Sequence, residues 1–176
     1  KNTGTMRYQR GAVLCNLFLA DELNRATSRT QSALLQAMEE GAVTVDNNTY
    51  PVPQPFIVIA TQNPTGAKGT QMLPDSQMDR FMLRLSIGYP SPEDEAEMIR
   101  RKQKSISLDS VQQVVSKSEL MQIRQEVSAV FVKDEVVDYI VQLCGATRND
   151  PRILQGASPR ASLALTSLAK ATAWIQ

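Results

Sequence analysis

Two short apolar runs, each stopping abruptly at polar residues, organise the first half of the chain. Leu17-Phe18-Leu19-Ala20 closes a strand predicted over 14–20 and ends at Asp21-Glu22, and Phe56-Ile57-Val58-Ile59-Ala60 predicts a second strand that ends at Thr61-Gln62-Asn63-Pro64. Runs that are apolar at every position mark strands buried on both faces, as in a parallel sheet. Open α/β sheets bind ligands at the carboxyl ends of such strands. Taken alone, the acid pair at 21–22 fits equally well a strand that stops where charge meets water.

Around these runs the pattern alternates between helix and strand periods. Asn24 to Arg29 is polar and rich in cap residues. Thr30 to Glu40 carries Leu34, Leu35, Ala37 and Met38 at helical spacing, with Gly41 as a C′ stop. Glu39 and Glu40 oppose the dipole at the end of that helix, and nothing in the sequence accounts for them. Residues 42–45 and 49–52 alternate on either side of Asp46-Asn47-Asn48 and predict a hairpin, its outer strand blunted by Pro51 and Pro53. Residues 1–10 read as the end of a small hairpin, 65–74 as a loop, 75–80 as a helical turn and 81–87 as an alternating strand. From Ser91-Pro92 onward the period is helical: 92–104, 118–130, 134–146 and 159–175, the last repeating the Ser-Pro start at Ser158-Pro159. The chain thus divides into a strand-bearing half, 1–90, and an all-helical half, 91–176.

Composition narrows the chemistry. The chain of 176 residues is 42% hydrophobic and 21% charged, with a formal net charge of +1, which is ordinary globular material and not a strongly basic nucleic-acid binder. It contains no histidine, which removes Ser-His-Asp triads, His general bases and most zinc sites. Any chemistry runs on carboxylates, Arg, Lys, Asn or a bound metal. Two separated cysteines, Cys15 and Cys144, read as small buried hydrophobes in a reducing, cytoplasmic setting. No apolar run approaches the roughly 18 residues of a membrane-spanning helix.

Taken jointly, five segments resemble the AAA+ ATPases, and within them the MoxR family. Leu19-Ala20-Asp21-Glu22-Leu23-Asn24-Arg25-Ala26 is similar to that family's Walker B segment, and 30–40 to the helix after it. Ala60-Thr61-Gln62-Asn63-Pro64 resembles sensor 1, Asp79-Arg80-Phe81 the arginine-finger segment, and Gly156-Ala157-Ser158-Pro159-Arg160 sensor 2. The resemblance implies a P-loop AAA+ α/β core over 1–90, with the hairpin at 42–53 as the insert before sensor 1, followed by a helical lid over 91–176. It also implies roles. Asp21 would hold Mg²⁺, Glu22 would polarise the attacking water, and Asn63 would orient that water near the γ-phosphate of ATP. Arg80 would reach the nucleotide of a neighbouring subunit, Arg160 would supply a further cation, and Arg25 a second interface cation. Phosphoryl transfer asks a protein mainly to position groups and neutralise charge, which suits this set.

The Gly-rich phosphate loop, G-x-x-x-x-G-K-[ST], does not occur in the sequence. The expectation is therefore a chain that belongs to a longer protein and lacks the first core strand, inactive alone, whose parent couples ATP hydrolysis in a ring, expected to be a hexamer, to chaperone-like remodelling of partner proteins. The resemblance points to partners with von Willebrand factor A domains. Two alternatives stand beside it: a non-catalytic regulatory subunit contributing Arg80 to a ring, and a DNA-acting motor. The second is disfavoured because the 42–53 hairpin carries no cation and only Asp46 as charge.

Overall fold

A computed structural model describes residues 9, 11–63, 72–103 and 111–176. The readings of 1–8, 10 and most of the 65–74 loop lie outside these residues. Two parallel strands, β1 (Leu17–Ala20) and β4 (Ile57–Ala60), pair in step, Leu17 with Ile57 through Ala20 with Ala60. β1 is shorter than the predicted 14–20, because residues 11–16 form tight turns, with Leu14 N donating to Gly11 O and Cys15 N to Val13 O. Between the two strands lie helix α1 (Ser28–Glu40) and the antiparallel hairpin β2 (Ala42–Val45) and β3 (Asn48–Pro51). The helix starts two residues before the predicted Thr30 because Thr27 caps it, its hydroxyl accepting from Thr30 N. Gly41 ends it at φ 64, where a Cβ would be strained. The hairpin turn is the two-residue pair Asp46-Asn47, both at positive φ (48 and 63), the geometry that matches the twist of the flanking strands.

One face of the parallel pair is packed. Ala20, Leu23, Leu34 and Leu73 are buried together, with Phe18, Met38, Val58 and Phe81 against them. The expectation of strands buried on both faces is met only on this side. Leu17, Leu19, Ile57 and Ile59 point to the other and are 44–63% exposed, since no described element covers them. The predicted strand at 81–87 does not form: after α2 (Asp75–Met78) the chain is irregular through Pro90, and Leu85 and Ile87 are 82% and 100% exposed. A strand exists only as one side of a ladder, and no described strand lies beside this segment to complete one.

The second half is helical as expected: α3 (Pro92–Gln103), α4 (Lys117–Ala129), α5 (Asp134–Asn149) and α6 (Pro159–Ile175). α3 carries Glu93, Asp94 and Glu95 in its first turn and Arg100, Arg101 and Lys102 in its last, the arrangement that suits the helix dipole. α4 opens with a capping box, Ser116 accepting from Glu119 N while the Glu119 carboxylate accepts from Ser116 N at 2.7 Å. α6 packs on α4 and α5, tied to α4 by Lys170 Nζ donating to Ser128 O (2.8 Å) and Trp174 Nε1 to Glu126 Oε2 (3.1 Å). Ile140 and Cys144 form its buried centre, and both cysteines are free thiols, Cys15 only partly buried. Among the described residues no helix is long and apolar enough to cross a membrane.

Candidate functional site

Because β1 and β4 end in register, Asp21 and Thr61 leave the sheet side by side. Thr61 then joins the two strand ends through four hydrogen bonds. Its N–H donates to Ala20 O and its carbonyl accepts from Leu23 N, both at 3.0 Å. Its hydroxyl accepts from Glu22 N at 2.8 Å and donates to Asp21 Oδ1 at 2.6 Å. The direction of that hydroxyl is fixed by chemistry: Glu22 N–H can only donate, so the Thr61 proton goes to the carboxylate. Glu22 sits at φ 48, in the left-handed region, which costs an L-residue roughly 1–2 kcal/mol. The Thr61 acceptor helps hold it there.

The loop behind the acids is built from buried amides. Asn24 is 6% exposed and donates through Nδ2 to Asn63 O at 3.3 Å, so the loop after β4 is held against the loop after β1. Gln31, 8% exposed, donates to both Leu23 O and Ala26 O at 3.1 Å from the first turns of α1. Asp21 is exposed, with one carboxylate oxygen set by Thr61. A hard, exposed carboxylate of fixed orientation is the kind of single ligand Mg²⁺ takes while keeping its own waters. Arg25 bends back to Glu22, Nε to Oε2 at 3.1 Å, so it is paired within its own loop and not held out as an interface cation.

The other two arginines lie elsewhere, and they lie together. Glu39, at the far end of α1, takes Arg160 on one carboxylate oxygen and Arg80 on the other, the latter at 3.5 Å. Arg160 also approaches Asp79 at 3.7 Å, and Asp79 accepts from the Ser158 hydroxyl at 2.6 Å. Glu39 follows Ser28 by 11 residues of helix, roughly 16 Å of rise, so α1 separates an acid set at its amino end from a cation set at its carboxyl end. Asp21, Glu22 and the Asn63 backbone come together, as do Arg80 and Arg160, but the two groups do not meet within the chain. The side chains of this cluster are 27–49% exposed, and pairs of that kind contribute about 0–1 kcal/mol each.

Arg160 is placed by a glycine. A Cβ on Gly156 would lie 2.6 Å from Arg148 Cα and 2.9 Å from Arg148 N, so only glycine lets the chain pass this close to α5. Ala157 then bonds back to it, N to Thr147 Oγ1 at 2.9 Å and O from Arg148 Nε at 2.8 Å. Ser158 caps α6, accepting from Ala161 N. Thr61, Asp79 and Asn24 carry no local signal of these roles, and Glu39 only its dipole-opposed place at the end of α1. Thr61 and Glu39 meet their partners across about 40 residues or more, a pairing no local pattern contains.

The chain is similar to several known proteins. The family described as "ATPase family associated with various cellular activities (AAA)" matches residues 1–83. A Bacillus subtilis (strain 168) relative, "Uncharacterized protein YeaC", is 42% identical over 174 residues, covering 98% of this chain and 54% of the relative. "Chaperone MoxR1" of Mycobacterium tuberculosis is 40% identical over 175 residues, covering 94% of this chain and 46% of the relative. The chain therefore spans about half the length of these curated relatives. A crystal structure from Cytophaga hutchinsonii, named as a candidate ATPase, superposes with a TM-score of 0.86 at 40% identity, over 94% of this chain and 53% of that one. A full-length MCM homologue from Methanopyrus kandleri shares the fold at a TM-score of 0.59 and 20% identity, over 90% of this chain and 32% of that one. By these relatives and the matching fold, the chain belongs with the MoxR family of AAA+ ATPases.

Proposed function

We propose that this chain supplies the hydrolytic acids and the helical lid of an ATPase whose turnover drives chaperone-like action on partner proteins. The observation that carries the reading is Thr61, whose hydroxyl spans the Asp21 carboxylate and the Glu22 backbone N–H and so fixes how the acid pair leaves the strand end. In this reading Asp21 holds Mg²⁺, which when bound neutralises phosphate charge. Glu22 accepts a proton from the attacking water, and Asn63 orients that water from the adjoining strand end. Arg25 occupies the Glu22 carboxylate at rest and swings off it for turnover, a movement that an exposed pair allows at little cost.

Arg80 and Arg160, grouped at the far end of α1, act on a nucleotide held by a neighbouring subunit, so turnover requires a ring, a hexamer in our reading. Partners carrying von Willebrand factor A domains, and a cytoplasmic setting, complete the proposal on the resemblance alone. The likeness to "Chaperone MoxR1" supports protein over nucleic acid as the substrate, as does the β2–β3 hairpin, with no cation to meet a phosphate backbone. The test is Glu22→Gln in the whole protein. ATP binding is expected to persist while hydrolysis is lost, and undiminished hydrolysis rejects the role given to Glu22.

A further inference from the structure

We propose that Glu39 is a positioning residue that ties Arg80 to Arg160, so that the two cations are placed, and displaced, together. It rests on the reading of Arg80 as the cation that reaches a neighbour's nucleotide. Glu39 offers one carboxylate oxygen to each guanidinium. Asp79, next to Arg80 in the chain, takes the other side of the Arg160 fork and is itself held by the Ser158 hydroxyl. The cluster balances two positive against two negative groups, and it joins α1, the segment after α2 and the first turn of α6 at a single point.

Two features argue for an exchangeable tie and against a fixed girder. The side chains are a quarter to a half exposed, so water and ions reach them and each pair is weak. Both arginines have donors to spare beyond those Glu39 uses, since a guanidinium carries five N–H groups in a planar fork. A phosphate that takes a guanidinium through two oxygens competes with a carboxylate that offers each guanidinium only one. An anion that draws Arg160 away from Glu39 therefore leaves Arg80 with the whole carboxylate and a new position. Glu39 and its neighbour in sequence also stand where the helix dipole disfavours acids, a local cost that the two arginines offset.

The experiment uses the whole protein labelled with ¹⁵N-arginine and reads the Nε–Hε signals of Arg80 and Arg160. Glu39→Gln is expected to move both signals, and Arg160→Ala to move that of Arg80, although nothing at Arg80 itself has changed. An Arg80 signal indifferent to both substitutions overturns the tie. In steady-state assays Glu39→Gln is expected to lower kcat roughly two- to fivefold, the ratio to which the loss of one exposed ion pair converts. The KM for ATP should stay level or fall, because Arg160 loses a competitor for phosphate. A variant whose kcat and KM both match those of the parent, or whose losses track a lower Tm, overturns the positioning role. The underlying reading fails separately: if Glu22→Gln still hydrolyses ATP while the arginine signals remain coupled, the tie stands and the site assignment falls.

Discussion

Thr61→Val is the sharpest perturbation of the strand-end site, because valine keeps the branched shape and removes only the hydroxyl. The backbone bonds of Thr61 to Ala20 O and from Leu23 N survive, so the β1–β4 pairing is retained. What is lost is the 2.6 Å bond to Asp21 and the 2.8 Å acceptor for Glu22 N. A net hydrogen bond contributes about 0.5–1.5 kcal/mol, and one to a charged group about 1.5–3. Asp21 is exposed and water can replace part of its bond, so both belong at the low end of these ranges. The sum is about 1–3 kcal/mol of folding stability, or about 2–4 °C in Tm per kcal/mol for a chain of this size. Glu22 loses the contact that favours its positive φ, so on the proposed role of Glu22 the expected outcome is a larger loss of ATP turnover in the whole protein than of stability. The assay pairs urea denaturation with ATP hydrolysis across a Mg²⁺ titration, comparing Thr61→Val and Thr61→Ser. Serine keeps the hydroxyl and should recover most of both losses. If valine matches the parent in midpoint and rate, or serine is as damaging as valine, the hydroxyl bridge is not what organises the acids.

Two further expectations concern the helical half. Gly156→Ala drives a Cβ into the Arg148 backbone, and overpacking of this kind costs about 1–3 kcal/mol. Tm should fall by several degrees, and Arg160 should lose its register on Glu39; an unchanged Tm contradicts the close approach. The Ser116 side chain, and then its backbone N–H, holds the Glu119 carboxyl below its ordinary range. The Arg152 guanidinium does the same for Asp150. A depressed carboxyl stabilises the fold above its unfolded value, about 4.3 for Glu and 3.9 for Asp, and that contribution is lost as pH falls through the lower folded value. The difference in urea midpoint between parent and Glu119→Ala should thus shrink below about pH 4, and a difference that grows on acidification refutes the assignment.

Much of this architecture is legible locally. Gly41 after an apolar helical stripe, the Ser-Pro starts at Ser91 and Ser158, and the polar stops at Asp21 and Thr61 each announce an element end within a few consecutive residues. The Ser116-Lys117-Ser118-Glu119 capping box was equally readable and would have marked the start of α4. The segment 81–87 shows the limit of that approach. Its alternation is genuine, but alternation describes a side-chain pattern, and a strand also needs a backbone partner that no local window contains. The site divides the same way. Acids at a strand end can be recognised from the run before them, whereas the Thr61 hydroxyl between Asp21 and Glu22, and the carboxylate that gathers Arg80 and Arg160, depend on register across the sheet and on where α6 docks. The dipole-opposed Glu39 was the one local sign that something distant compensated it.

Helix α1 fixes an angle as well as a length. Each residue of an α-helix turns it by about 100°, so the buried face formed by Leu34, Leu35 and Ala37 sets the direction in which Glu39 leaves the axis. One residue inserted between Leu35 and Glu39 would advance the carboxylate by only about 1.5 Å, yet swing it more than a quarter turn off both arginines. Four residues would nearly restore the direction at the cost of one extra turn. Rotational phase, more than distance, is what this helix carries from the acids at one end to the cations at the other.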